Sequence, residues 1–320
     1  MKTLVLAVGI VAGLAIMAPL MAQTKPTIAI IVKDTTSPYW QTVLAGARKA
    51  GQDFGGNVVE LGTQSESDAT GQIGLLKTAA ASDPVAIVIA PAQSQALAGP
   101  IEETAKKVKV IGIESAADTK AMTSLLATDN VNVGRISADA LAAAITRTYG
   151  DTEGNIVIIT AMSGVAALDR RAEGFKAVLA AKYRALAIVA DKVGDGKPMT
   201  VTNIMRDIIA HTADLRGVFV SDPTMTQAVG QAVAESKSGD KINIIGVGAD
   251  QQLVKLLADD TVAGLVVEDP FRMGYDGIKT ALAAASGEPV AAHIDIGATL
   301  VTKGNMGSAR AKELLDQKVR

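Results

Sequence analysis

The feature that most constrains this chain of 320 residues is a regular alternation of short β-branched apolar runs with longer segments of helical periodicity. The apolar runs include TIAIIV at 27–32, AIVI at 86–89 and NIVII at 155–159. Between them, segments such as 39–54 place apolar residues at helical spacing. This order predicts right-handed β-α-β units and parallel sheets that helices cover on both faces.

The predicted elements fall into two consecutive series. Strands are predicted at 27–32, 57–61, 86–89, 110–113, 155–159, 187–190, 217–220 and 242–247. Helices are predicted at 39–54, 69–81, 101–107, 134–149, 170–182, 200–211 and 225–236. The fold class that follows is α/β, with two doubly wound parallel-sheet lobes. Because ligands of such sheets bind beyond the carboxyl ends of the strands, the residues after each strand are the first candidates for a site.

The first 22 residues have the pattern of a secretory signal peptide. Lys2 precedes an apolar run at 4–20, and the small residue Ala22 precedes Gln23. The alternative interpretation is a membrane anchor, for which the run is short and lopsided. We therefore expect cleavage after Ala22 and export of a soluble mature protein to the periplasm.

Composition and motifs exclude several classes of protein. The sequence has no cysteine, which excludes a disulfide framework, a thiol nucleophile and a lipid-modified cysteine. Its net charge of −2 gives no reason to expect a nucleic acid partner. His211 and His293 lack metal-ligand spacing, and His211 is interpreted as a helix cap. Residues 194–197 lack the spacing of a phosphate loop and no G-x-S-x-G elbow is present, so we expect no metal, no cofactor and no enzyme.

Two kinds of side chain after the predicted strands suit a polyhydroxylated ligand. Tyr39 and Trp40, the latter the only tryptophan, stand where the first helix begins. Aromatic rings stack on the C–H faces of sugars, although the two rings could also simply cover the helix start. Arg171 follows the strand at 155–159 and offers several fixed donors to hydroxyl oxygens. The alternative, a charge on a solvated helix face, suits Arg170 better.

Five segments resemble the ribose-binding-protein family of periplasmic sugar-binding proteins, which have a type I two-lobe fold. They are SPYW at 37–40, TDN at 128–130, RAEGF at 171–175, FVSDPTM at 219–225 and EDP at 268–270. The segments occur in the family's order, and the resemblance covers nearly all of the mature chain.

The resemblance implies a three-segment hinge and two lobes that close around a sugar. The N-terminal lobe would combine 24–130 with 269–294, and the C-terminal lobe 131–268 with 296–320. Closure would present both lobes to an ABC transporter permease, to which a monomer delivers the sugar. The residues expected to contact the sugar are Lys33, Tyr39, Trp40, Glu114, Ser115, Arg171, Asp222, Gly248, Asp250 and Glu268.

Departures from the family pattern bear on the identity of the sugar. They are Glu114-Ser115 in place of an Asp-Arg pair, Asp222 in place of an asparagine, Glu268 in place of a glutamine, and Asp250 displaced by two residues. Buried carboxylates are costly unless the ligand brings positive charge, so an amino sugar such as a hexosamine is one hypothesis. Lys33 could neutralise one acid, and a neutral pentose, hexose or polyol is an equal alternative.

Three other functions are compatible with parts of this pattern. A sensory module would report the sugar to a chemoreceptor or sensor kinase, and the sequence does not separate it from a transport protein. A repressor would need an N-terminal helix-turn-helix where this chain has a signal peptide pattern. An exported carbohydrate-active enzyme would need two carboxylates as acid and base, but acids spread over both lobes serve equally well as hydroxyl acceptors. A binding protein is therefore the prediction.

Overall fold

The computed structural model of the protein describes residues 25–163, 165–236 and 241–315. The strands in these ranges are β1 (Thr27–Val32), β2 (Asn57–Gly62), β3 (Ala86–Ile89), β4 (Lys109–Ile113), β5 (Ser124–Ala127), β6 (Gly154–Thr160), β7 (Leu186–Val193), β8 (Leu215–Val220), β9 (Asn243–Val247), β10 (Gly264–Glu268), β11 (His293–Asp295) and β12 (Ala298–Val301). The helices are α1 (Pro38–Phe54), α2 (Ala69–Ala81), α3 (Ser94–Ala105), α4 (Asn130–Tyr149), α5 (Ala166–Lys182), α6 (Pro198–His211), α7 (Pro223–Glu235), α8 (Gln251–Ala258), α9 (Pro270–Ala285) and α10 (Ala309–Leu315). The signal peptide predicted for 1–22 lies outside the described residues. Within them, no helix combines the length and the apolar character needed to span a bilayer.

The strands form two six-stranded sheets with the same connectivity. The strand order is β2-β1-β3-β4-β5-β11 in the first sheet and β7-β6-β8-β9-β10-β12 in the second. Alternate residues of β1 enter separate cores: Ile28 and Ile30 pack with α1 and α9, whereas Ala29 and Ile31 pack with α2 and α3. The predicted α/β fold of two doubly wound lobes is therefore confirmed. The first lobe is the first sheet with its helices, and the second lobe is the second sheet with the remaining helices.

One strand departs from the predicted parallel arrangement. β12 runs antiparallel to β10, with Leu300 opposite Val266. A parallel connection needs a crossover of a dozen or more residues, whereas only Ile296 and Gly297 separate β11 from β12. Because β11 ends at the edge where the lobes meet, the chain enters the second sheet from that edge and runs against its neighbour.

The chain passes between the two sheets three times, after β5, after β10 and after β11. The crossing segments are bonded to one another. The backbone N–H of Asp129 donates to Asp295 Oδ1 at 3.1 Å, and Arg272 Nη1 donates to the Ile296 carbonyl oxygen at 3.2 Å. These segments form a three-part hinge. Lobe limits of 24–130 with 269–294 and of 131–268 with 296–320 stay a prediction.

Several predicted element limits are corrected. α3 begins at Ser94 and contains Pro100, whereas the predicted helix begins after that proline. α4 begins at Asn130 rather than at 134, because the Asp129 side chain accepts the N–H of Asn132 and caps the helix there. β7 extends over Leu186–Val193 rather than 187–190. The strands β5, β10, β11 and β12 and the helices α8, α9 and α10 are absent from the predicted elements.

In each lobe, two of the described helices cross with their backbones in contact. The pairs are α1 with α9 in the first lobe and α4 with α5 in the second. A Cβ atom added at Gly274 of α9 would lie 1.8 Å from the carbonyl oxygen of Val43. One added at Gly134 of α4 would lie 2.0 Å from the carbonyl oxygen of Arg171. Because Gly134 has no side chain, α5 packs directly against α4, and this packing sets the position of Arg171.

An ion pair joins α10 of the second lobe to the crossing segment after β10. Asp269 is 7% exposed, and its Oδ2 accepts a hydrogen bond from Arg310 Nη2 of α10 at 2.7 Å. Arg310→Gln removes the cation from a buried carboxylate and is expected to lower the free energy of unfolding by about 1–2 kcal/mol. Chemical denaturation at pH 7 measures this effect. Lys312→Gln, at an exposed position of the same helix, is the matched control, and an equal loss in both variants would contradict the assignment.

Candidate functional site

The loops at the carboxyl ends of β1 and β4 meet in the first lobe. Lys33 follows β1, Glu114 follows β4, and Lys33 Nζ lies 2.5 Å from Glu114 Oε2. Their side chains are 13% and 30% exposed, so the ion pair is largely shielded from water. Glu114 has a φ of 64°, in the left-handed region that residues other than glycine rarely adopt. Such strain is typical of ligand sites, where the surrounding contacts over-determine the backbone.

Tyr39 and Trp40 open α1 next to this ion pair, but they are not equally exposed. Their ring centroids are 5.0 Å apart at an interplanar angle of 87°, an edge-to-face contact. Trp40 is 1% exposed and belongs to the first-lobe core, and its indole N–H donates to Glu66 Oε1 at 2.7 Å. Tyr39 is partly exposed and therefore presents the more accessible ring. Stacking of Trp40 itself on a sugar stays a prediction.

Tyr39 also lies among the charges of both lobes. Burial raises the pKa of its hydroxyl well above the ordinary value, the charges of Glu268 and Glu114 raise this pKa further, and Arg171 lowers it. The hydroxyl therefore stays protonated, and its closest acceptor is Met273 Sδ at 3.7 Å, which is a weak one. The Tyr39 hydroxyl is thus suited to donate to a ligand oxygen. Since Glu114 lies in the first lobe and Arg171 in the second, Tyr39 stands where predicted residues of the two lobes converge.

Arg171 connects the second lobe to two of the three crossing segments. Its Nε donates to Asn130 Oδ1 at 2.7 Å, and its Nη2 donates to Glu268 Oε1 at 3.1 Å. Its Nη1 donates to the carbonyl oxygen of Ser221 at 3.0 Å. The residue is 7% exposed, so these bonds hold the guanidinium in one orientation. A ligand that contacts Arg171 is therefore linked directly to the hinge.

The predicted residues after β8 and β9 have structural contacts of their own. Asp222 caps α7 and Asp250 caps α8, each accepting a backbone N–H of the first helical turn, at 3.1 and 2.8 Å respectively. Asp250 also accepts from Gln227 Nε2 at 2.6 Å. Gly248 has a φ of 94°, a conformation that favours glycine. Contacts of Asp222, Gly248 and Asp250 with a ligand stay predictions.

In the first lobe, Ser115 is partly engaged. Its Oγ donates to the carbonyl oxygen of Pro91 at 2.8 Å, which links the ends of β3 and β4. A hydroxyl that donates to a carbonyl keeps its own lone pairs as acceptors. Ser115 therefore remains suited to accept a hydrogen bond from a ligand hydroxyl, and its contact with a ligand stays a prediction.

Three residues join the candidate site that the sequence-based prediction omits. Thr128 Oγ1 and Ser221 Oγ are buried and have no hydrogen-bond partner among the described residues. A buried hydroxyl without a partner costs free energy unless a ligand or water satisfies it. Both lie in segments that resemble the family, TDN at 128–130 and FVSDPTM at 219–225, so the sequence pattern indicates their positions. Glu66, the partner of Trp40, lies in an exposed polar loop and has no such signal.

The assembled site can bind but offers no metal centre. Within the described ranges, no group of three His, Asp or Glu side chains has the geometry to hold a metal ion. His211 is the last residue of α6, and its Nδ1 lies 2.9 Å from the carbonyl oxygen of Asp207, the position of a helix cap. What the site provides is a half-buried ring, two ion pairs and several hydroxyls at one edge of both sheets. These groups suit a small uncharged solute with many hydroxyls and an apolar face.

Comparison with known proteins agrees with this geometry. A family model described as a periplasmic binding protein domain matches residues 28–289. The ribose import binding protein RbsB of Haemophilus influenzae is 25% identical over 304 residues, which cover 94% of this chain and 99% of that protein. The D-allose-binding periplasmic protein of Escherichia coli is 21% identical over 78% of this chain and 82% of that protein.

Solved structures give the same result. A carbohydrate transporter solute binding protein from Agrobacterium radiobacter, in complex with D-arabinose, is 52% identical with a TM-score of 0.81, over 92% of this chain and 100% of that one. An ABC transporter solute binding protein from Agrobacterium vitis with bound D-fucose is 30% identical with a TM-score of 0.75, over 90% and 99% of the two chains. The chain therefore belongs to the periplasmic binding protein family, in its ribose-binding-protein-like type I form.

Proposed function

We propose that this protein binds a neutral monosaccharide, most simply a pentose such as D-arabinose, between its two lobes in the periplasm and delivers it to an ABC transporter permease. The observation that carries the proposal is the convergence of Tyr39, the Lys33–Glu114 pair and the Arg171–Glu268 pair at the edge where the lobes meet. A sugar ring needs one apolar wall and several directed hydrogen bonds, and these residues provide both.

The similar proteins support a sugar as the ligand. The relative that is 52% identical over 92% of this chain was solved with D-arabinose, and the one that is 30% identical was solved with D-fucose. Both compounds are neutral monosaccharides. Ribose import binding proteins are more distant, at 25% identity or below, so ribose is the weaker candidate.

Charge balance favours a neutral sugar over an amino sugar. Glu114 is paired with Lys33, and Glu268 is paired with Arg171. Asp222 accepts the N–H that caps α7. Each carboxylate that suggested a cationic ligand therefore already has a positive or N–H partner within the protein, and an ammonium group is not needed to balance it.

The same residues favour binding over catalysis. A glycoside hydrolase needs one protonated carboxyl group and one free carboxylate on either side of the bond. Glu114 and Glu268 are both held as ion-paired acceptors, which suits hydrogen bonds to sugar hydroxyls. Because Arg171 links the site to the crossing segments, a bound sugar would stabilise one arrangement of the lobes, which a permease can recognise.

Isothermal titration calorimetry tests the proposal directly. The mature protein is titrated with D-arabinose, D-fucose and D-ribose, and with D-galactose and D-galactosamine as a neutral and cationic pair. We expect D-arabinose to give a saturable binding isotherm, and galactosamine to bind no better than galactose. Tighter binding of galactosamine would overturn the neutral-sugar assignment. Absence of heat and of any melting-temperature shift with every sugar would overturn sugar binding altogether.

A further inference from the structure

Glu66 lies outside the five motif segments, yet its carboxylate accepts the indole N–H of Trp40. It is an exposed residue in the loop after β2, and its Oε1 accepts the indole N–H at 2.7 Å. Trp40 has a single polar group, this N–H, and is 1% exposed, so the bond provides the acceptor that a buried donor requires. A carboxylate makes this bond stronger than a neutral acceptor would.

The loop that contains Glu66 is hydrogen-bonded to the loop that contains Lys33. The N–H of Thr35 donates to the carbonyl oxygen of Thr63 at 2.9 Å. In return, Thr63 Oγ1 donates to the carbonyl oxygen of Lys33. Glu66, three residues after Thr63, is therefore carried by a loop whose backbone is bonded to the candidate site.

Trp40 transmits this position to two candidate ligand residues. The Trp40 ring makes the edge-to-face contact with the Tyr39 ring, at 5.0 Å between the two centroids. Lys33 Nζ lies 5.8 Å from the centroid of the Trp40 ring. The Glu66 carboxylate accepts a hydrogen bond from the N–H edge of the same ring. A turn of the indole would thus displace both the Tyr39 ring and the Lys33 ammonium group.

We propose that Glu66 is a positioning residue for sugar binding, which acts through Trp40 on Tyr39 and does not touch the sugar. The inference rests on the proposed function, because it takes Tyr39 as the ring on which the sugar stacks. It adds a residue that neither the motifs nor the resemblance contains. One hydrogen bond from the exposed loop, between Glu66 and the indole N–H, sets the orientation of the Trp40 ring against the Tyr39 ring.

Two variants and one control separate the hydrogen bond from charge and from stability. Glu66→Ala removes the acceptor, whereas Glu66→Gln keeps an oxygen acceptor without the charge. Glu103→Ala removes an exposed carboxylate of α3 that is paired with Lys106, far from the aromatic pair in sequence. Because Trp40 is the only tryptophan, the emission spectrum of the sugar-free protein under tryptophan-selective excitation reports this ring alone. D-Arabinose is the probe for affinity, measured by calorimetry.

We expect Glu66→Ala to shift the emission spectrum and to weaken D-arabinose binding about tenfold. Glu66→Gln should restore the spectrum and bind within about threefold of the wild-type protein, and Glu103→Ala should change neither. A wild-type spectrum or a wild-type affinity for Glu66→Ala would overturn the proposal, as would a glutamine variant no better than alanine. If the wild-type protein binds no D-arabinose, the proposed sugar is wrong, whereas the sugar-free spectra still decide whether Glu66 fixes the ring.

Discussion

Arg171→Ala is expected to weaken binding of D-arabinose by about 2–4 kcal/mol, a factor of ~30 to ~800, in isothermal titration calorimetry. The guanidinium makes three directed bonds, to Asn130, Ser221 and Glu268, and it is 7% exposed. The alanine variant has no guanidinium N–H groups to donate to the ligand, and it leaves Glu268 without its positively charged partner. Both effects act in the same direction, because the site is then less well organised before the sugar arrives.

The neighbouring Arg170 is the matched control for this prediction. It is exposed on the same helix, so Arg170→Ala makes the same change in charge and leaves the site intact. Arg170→Ala should bind within about twofold of the wild-type protein. Equal affinities of the Arg170 and Arg171 variants would contradict a ligand-binding role for Arg171. A circular dichroism melt of each variant separates weaker binding from unfolding.

The fold is predictable from sequence where strands are long and buried on both faces. Ile28, Ile30 and Ile31 of β1 are fully buried, so the run is apolar from 28 to 32 and is recognised as a parallel strand. β11 is three residues long, HID, with both ends exposed. Its position depends on pairing with β5 and not on its own composition. Short edge strands of this kind carry too little local pattern to be found.

The site is predictable only as far as its residues follow strands or lie in motifs. Lys33 and Glu114 each directly follow a predicted strand, but their ion pair joins positions 81 residues apart and needs the sheet order to bring them together. The amino-sugar hypothesis rests on substitutions of single residues, which show the carboxylates but not the Arg171 partner of Glu268. Glu66 could not be found at all, because its role depends on the orientation of one indole N–H.

Gly134→Ala is expected to lower the free energy of unfolding by about 2–4 kcal/mol and to weaken sugar binding as well. Alanine at a free helix position is normally favourable, by up to ~1 kcal/mol over glycine. At Gly134, however, the new Cβ would lie 2.0 Å from the Arg171 carbonyl oxygen and 2.7 Å from the Phe175 N, both backbone atoms that cannot rotate away. α4 and α5 must therefore separate, and α5 carries Arg171 with it.

Thermal denaturation and D-arabinose titration of the same Gly134→Ala protein measure the two consequences together. Gly74→Ala is the matched control, since Gly74 lies in α2 with no atom within 4 Å of the added Cβ. That variant should be unchanged or up to ~1 kcal/mol more stable, because only helix propensity is altered. Gly274→Ala, at the equivalent crossing of the first lobe, should destabilise by a similar amount without moving α5. A Gly134 variant as stable as Gly74→Ala would mean that the helices can separate at no cost, and that their contact does not hold Arg171 in place.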